Sequence, residues 1–163
     1  MSKAKVILPK DGLQTTIHSG NHTYHADEPI EDGGTDTAPT PTQMMMGALG
    51  SCIAITMRLY AQRKGWALEG VEVDLDFERF KGKDYPAYNG DERYVHEIVK
   101  KITLYGDLTE EQHARILEIG SICPVHRLIT TPSFFVQEVI EQEQSTEAGF
   151  IEETLNEKLI IKK

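Results

Sequence analysis

Apolar and polar positions change period several times along this chain, and each change marks an element. Short β-prone runs come first, at Lys5–Leu8, Leu13–His18 and His22–Ala26, separated by Asp11-Gly12 and by Ser19-Gly20-Asn21. The second separator is a hairpin signal, because glycine and asparagine accept the backbone geometry of a tight turn between paired strands. Asp27–Pro41 is rich in turn formers and acids and reads as a surface loop.

An uncharged run, Met44–Met57, follows. Thr40 suits an N-cap, Pro41 the first helical position, and Gln43 completes a T-x-x-Q capping box. The spacing predicts a helix reaching Lys64 and stopping at Gly65, a residue favoured just past a helix end. Its first half is apolar or small on every side, so it is expected to be core all round. The second half, MRLYAQRKG, turns amphipathic. A membrane span needs about 20 mostly apolar residues. The uncharged run is shorter and holds glycines, a serine and a threonine, so it reads as a buried helix of a soluble protein.

Beyond it, Val71, Val73, Leu75 and Phe77 alternate with Glu72, Asp74, Asp76 and Glu78, which predicts a strand over Glu69–Phe80 with one buried and one acidic face. Gly82–Gly90 reads as a loop and Val95–Tyr105 as the next strand, broken at Gly106-Asp107-Leu108. A second helix opens at Thr109, again a capping box with Gln112, and has Glu110 and Glu111 where the helix dipole favours acids. It is expected to end near Ile122, because the residue before Pro124 resists helical geometry. Cys123 can then cap a short helix starting at Pro124. Ser133–Ile140 reads as a final strand. The order predicts one α+β domain over residues 1–140, with antiparallel sheets around a long buried helix, and a charged extension over 141–163.

Composition sharpens this picture. A chain of 163 residues fits a single domain, yet only 39% of it is hydrophobic. A helix apolar on all sides is hard to cover with so little, which predicts an intertwined homodimer. The net charge of −9 argues against nucleic acid or an anionic membrane as partner, since both require basic patches. The N-terminal MSKAKVILPKDG contains no apolar stretch of signal-peptide length, so a cytoplasmic location is expected. Thiols are reduced there, and a disulfide would be transient.

The chain has two cysteines, Cys52 inside MMMGALGSCIAITM and Cys123 inside ICPVHR. The thiolate is the reactive form, and a free cysteine is only about 3% ionised at pH 7. Cys52, in mid-helix, gains nothing from its own helix start and needs a donor from elsewhere. Cys123 has a helix start beneath it and His126 and Arg127 nearby. Both cysteines also fit a role as small buried hydrophobes. A zinc site would need about four ligands, and Cys52, Cys123 and His126 with one more histidine do not form a known ligand spacing. His18, His22 and His25 do not share one strict alternation and read as hairpin polar residues.

The stretch DEPIEDGGTDTAPTPTQMMMGALGSCIAITMRLYAQRKGW, followed by GDLTEEQHARILEIGSICPVHR, resembles the OsmC/Ohr family of osmotically inducible and organic-hydroperoxide-resistance proteins, over about Asp27–Ile140. The resemblance implies an OsmC-like fold, an intertwined homodimer with active sites at the subunit interface, and thiol-dependent reduction of hydroperoxides without metal, haem or flavin. It implies that Cys52 attacks the peroxide, that Cys123 resolves the product, and that an external dithiol restores both. The apolar residues Met44–Met46 and Ile53 would favour organic over hydrogen peroxide.

The family's well-studied peroxidases activate the thiolate with a glutamate–arginine pair. Thr42 and Gln43 stand at the corresponding positions here, and no arginine precedes Arg58. The closer likeness is to the broader OsmC-like branch. Gln43, His25, His126 and Arg127 are the candidate supporting residues, with Gln43 also open to serving only as a helix cap. Two further functions stay open: a non-catalytic protein binding an apolar small molecule, and a thiol redox sensor.

Overall fold

The computed structural model describes residues 3–131. The strand expected at Ser133–Ile140 and the extension after it lie outside them. Strands β1 (Lys5–Ile7), β2 (Thr15–Ser19) and β3 (His22–Ala26) form one antiparallel sheet in that order. Ser19 pairs with His22 across a Gly20-Asn21 turn, and Gly20 takes a φ of 60°, which explains the glycine there. The second strand starts later than the expected Leu13. Gln14 turns its amide to donate to the Thr37 hydroxyl, which draws this segment toward the following loop.

That loop is organised around one carboxylate. Asp27 is buried, and its oxygens accept from the Glu28 N–H at 2.9 Å, the Thr35 N–H at 3.1 Å and the Thr37 N–H at 3.2 Å. The hydroxyls of Thr35 and Thr37 donate to the same group, at 2.6 and 3.1 Å. These bonds fold the loop back on itself just before the long helix.

Helix α1 spans Pro41–Lys64. Thr40 is its N-cap: the Thr40 hydroxyl accepts from the Gln43 N–H at 3.2 Å, and the Gln43 side chain accepts from the Thr40 N–H at 2.8 Å. Gly65 closes the helix with a left-handed φ of 67°. Length and composition alone would let α1 cross a bilayer. In the fold, its buried residues Leu49, Ile53, Met57 and Ala61 recur every fourth position and form one stripe.

Strands β4 (Gly70–Lys81) and β5 (Tyr94–Tyr105) make a long antiparallel hairpin, which forms a second sheet. Its connection holds a single helical turn at Gly82–Asp84, where the sequence reads as plain loop. Val71, Val73 and Leu75 on one face of β4 pack into the core with Ile98, Ile102 and Leu104 of β5, while Glu72, Asp74, Asp76 and Glu78 are exposed. Helix α2 (Glu110–Gly120) crosses α1 closely. A Cβ on Gly120 would fall 2.1 Å from the Met57 methyl and 3.2 Å from Ile53, so the crossing needs glycine. Helix α2 ends at Gly120, short of Ile122, and α3 (Pro124–Thr130) starts behind Cys123 as expected.

One expectation needs correction. Helix α1 is not core on every side of this chain. Ala48, Ser51, Ile55 and Leu59 lie on an exposed face, with Ile55 59% and Leu59 52% exposed. The hairpin, α2 and α3 cover one side of the helix, and no other described element covers the opposite one.

Candidate active site

Two helices bring the cysteines together. Cys52 rides on α1, at the margin between its buried stripe and its open face, and is half-buried. Cys123 caps α3, and its sulfur accepts from the His126 N–H at 3.3 Å. It is fully buried in the cluster formed by Leu49, Ile53, Met57 and Ile116, against which Cys52 packs. The two thiols are free, so this is the reduced state.

The pair is electrostatically asymmetric. Burial pushes the Cys123 thiol above its ordinary range, against the pull of the His126 N–H. Hydrogen bonding and charge interaction with Cys52 push it further in the same direction. Burial and the neighbouring thiol thus both favour the protonated form of Cys123.

The remaining candidates fall in different places. Gln43 sits in the capping box, with its carbonyl oxygen committed to the Thr40 N–H. His25 is exposed on β3 and its ring hydrogen-bonds the Thr16 hydroxyl at 3.4 Å, within its own sheet. Arg127 is exposed on α3. His126 is half-buried and joins the site through its main chain. Arg58, the first arginine, donates to the carbonyls of Leu68 and Glu69, which ties α1 to the segment entering β4.

Beside the thiols lies a cavity of about 490 Å³ between α1, α3 and β5. Leu49, one turn before Cys52, forms one wall, and His126, next to Cys123, forms another. Its β5 wall carries His96, Ile98 and Lys100. Sequence reasoning does not single out His96 or Lys100. A signal is nevertheless present: Lys100 falls in phase with Ile98 and Ile102, where the strand otherwise places apolar residues. Neither sulfur belongs to the cavity wall.

These features define a class: an α+β protein whose long helix lies on an antiparallel hairpin and presents one thiol to another held at a helix cap. The chain belongs to the OsmC-like protein family, whose sequence pattern matches residues 34–137. Among solved structures, it is similar to an OsmC-like protein of Mycoplasma pneumoniae, with a TM-score of 0.62 at 18% identity over 79% of this chain and 86% of that one. It is also similar to an organic hydroperoxide resistance protein, OsmC, of Legionella pneumophila (TM-score 0.58, 16% identity, 80% and 89% covered). The organic hydroperoxide resistance protein OhrB of Bacillus subtilis gives 0.54 at 15% identity, with 80% and 90% covered. At these identities the likeness establishes the fold. No curated protein matches the chain.

Proposed function

We propose that the protein reduces organic hydroperoxides through Cys52 and Cys123, as a cytoplasmic homodimer. The observation that carries this reading is the meeting of the chain's two thiols around one core cluster, one half-exposed and one fully buried. The exposed member is the one a substrate can reach, so Cys52 is the attacking group. Its thiolate attacks the outer peroxide oxygen, an S–O bond forms as the O–O bond breaks, and the displaced alkoxide leaves as an alcohol after taking a proton. Cys52 is now a sulfenic acid. The Cys123 sulfur attacks it, water leaves, and a disulfide joins α1 to the α3 cap. An external dithiol returns both thiols by exchange and is itself oxidised to a disulfide. The scheme needs no metal or prosthetic group. The names of the relatives from Legionella and Bacillus, which refer to hydroperoxide resistance, point the same way.

With a dithiol present, the reduced protein should consume cumene hydroperoxide. The Cys52→Ser variant should fall to background, and Cys123→Ser, reduced beforehand and freed of dithiol, should turn over once and stall as the sulfenic acid, seen as a mass gain of one oxygen. Undiminished turnover by Cys52→Ser defeats the proposal.

A second reading is binding of an apolar small molecule without turnover. The apolar part of the cavity wall, Leu49, Val95, Ile98 and Ile129, and the uncharged pair Thr42-Gln43 favour it. Ligand retained on the purified protein, with no peroxide consumed, would establish it instead.

A further inference from the structure

The connection at the far end of the β4–β5 hairpin holds an asparagine that neither the fold nor the thiol chemistry uses. Tyr88 organises this connection. Its N–H donates to the Tyr85 carbonyl at 3.1 Å, and its hydroxyl accepts from the Glu92 N–H at 3.0 Å. The second bond carries the Tyr88 ring across Gly90. A Cβ there would fall 2.3 Å from the Tyr88 hydroxyl oxygen and 2.5 Å from the ring carbon that bears it, so the closure of the loop requires glycine. The residue just before it is Asn89, which is exposed and belongs to neither helix nor strand.

That order of residues is chemically vulnerable. The main-chain nitrogen after an asparagine can close a five-membered ring on the side-chain carbonyl, and attack within one chain is strongly favoured over attack from solution. A bulky following residue, a fixed backbone or burial ordinarily prevents it. Gly90 has no side chain to crowd the ring. Among the described residues no backbone hydrogen bond holds the Gly90 N–H or the main chain of Asn89. Exposed loop tips of this kind are where a chain yields to chemical change. The other asparagines differ. Asn21 sits in the turn that the Ser19–His22 pair closes, and a histidine follows it. Asn156 precedes Glu157 and lies outside the described residues.

We infer that Asn89 is a site of spontaneous covalent modification, which converts it to isoaspartate and aspartate. The Gly90 nitrogen gives up its proton and attacks Asn89 Cγ. A C–N bond forms, the side-chain amide bond breaks, and ammonia leaves with the proton, which gives a succinimide. Water then opens the ring. Attack at the main-chain carbonyl routes the chain through the side chain as isoaspartate, and attack at Cγ gives aspartate. Water enters and ammonia leaves; nothing is oxidised or reduced. Either product adds a carboxylate beside a cavity of about 420 Å³ whose wall holds Lys81, Lys83 and Arg93 together with Asp91 and Glu92. Among the described residues none of these cations is in an ion pair, so the new charge meets a counter-charge at the hairpin tip. The inference is independent of the peroxidase reading.

Ageing of the reduced full-length protein at neutral pH and physiological temperature tests it. Peptides taken at intervals are mapped by mass spectrometry with electron-based fragmentation, which separates isoaspartate from aspartate. Asn89 should convert about tenfold faster than Asn21 or Asn156, or more, with isoaspartate the larger product. Conversion at Asn89 no faster than at Asn21, or aspartate without isoaspartate, overturns the inference. Asn89→Gln would have to close a six-membered ring and should stay unmodified at that position. Gly90→Ala alone would strike the Tyr88 ring, so it is made in the Tyr88→Ala background, where the new methyl has room. It should slow conversion about tenfold relative to Tyr88→Ala by itself. Equal rates in these two variants would show that the glycine does not open the site, and would overturn the inference as well.

Discussion

Single residues decide more here through their surroundings than through their type. Cys123 shows this: its thiol is held protonated by burial and by its neighbour Cys52, and only folding brings the two sulfurs together. The sequence identifies both cysteines, because each sits in a distinctive local motif. It does not disclose Asp27, which reads as one more acid in an acidic loop. In the structure, hydrogen bonding led by Thr35 holds the Asp27 carboxyl far below the usual carboxylate range, against the opposing effect of burial. The pKa is lower in the folded protein than in the unfolded chain, so Asp27 adds stability above the ordinary aspartate pKa. That contribution fades as pH falls below about 4 toward the folded value. Asp27→Asn should therefore melt about 5 °C below the wild type at pH 7. The difference should narrow steadily once the pH drops beneath about 4, as a pair of thermal-denaturation series would show. A difference that stays constant with pH would mean that the lost hydrogen bonds are not to an ionised carboxylate.

At the level of elements, the periodicities are legible and the ends nearly so. The α1 boundaries can be read because capping is local chemistry: Thr40, Pro41, Gln43 and Gly65 specify the ends without help from tertiary contacts. The β4–β5 hairpin is visible in its alternation, although Lys100 in the apolar phase draws no notice there. A lone cation in a strand acquires meaning only when the facing element is known. Local pattern also leaves two roles for Gln43, a stand-in for a missing catalytic acid or a simple helix cap. The structure shows a complete reciprocal cap. Thr40→Ala should then cost about 1 kcal/mol of stability, the usual worth of an N-cap, and Gln43→Ala should cost somewhat less. Chemical denaturation would measure both. If Gln43 is only a cap, Gln43→Ala keeps wild-type kcat/KM with cumene hydroperoxide at temperatures where it is folded. A large loss of kcat/KM in the folded variant would instead give its carboxamide a place in the chemistry.

For the whole molecule, the open face of α1 is the feature that one chain leaves unexplained. A helix apolar all round predicts cover all round. The described residues supply it only for the stripe through Leu49, Ile53, Met57 and Ala61. Ile55 and Leu59 stand exposed on the other side, with Ala48 and Ser51 small enough beside them for another backbone to come near. Cys52 lies at the edge of this face, so whatever covers it also borders the reactive sulfur. A second copy of the chain, pairing α1 with α1, would bury the face and complete the wall of the site. This is the homodimer of the proposed function. Placing a charge in that contact should break it, because a carboxylate cannot be buried among apolar groups without a partner. Ile55→Glu and Leu59→Glu should shift the mass seen by sedimentation from dimer to monomer at micromolar concentration. They should also lower peroxide turnover, since the cover beside Cys52 would leave with the partner. His113, exposed on α2 and away from this face, provides the control: His113→Glu adds a carboxylate and should leave both mass and turnover unchanged. Monomeric wild-type protein with full turnover would show that one chain builds the whole site, and would move the cover of this face elsewhere.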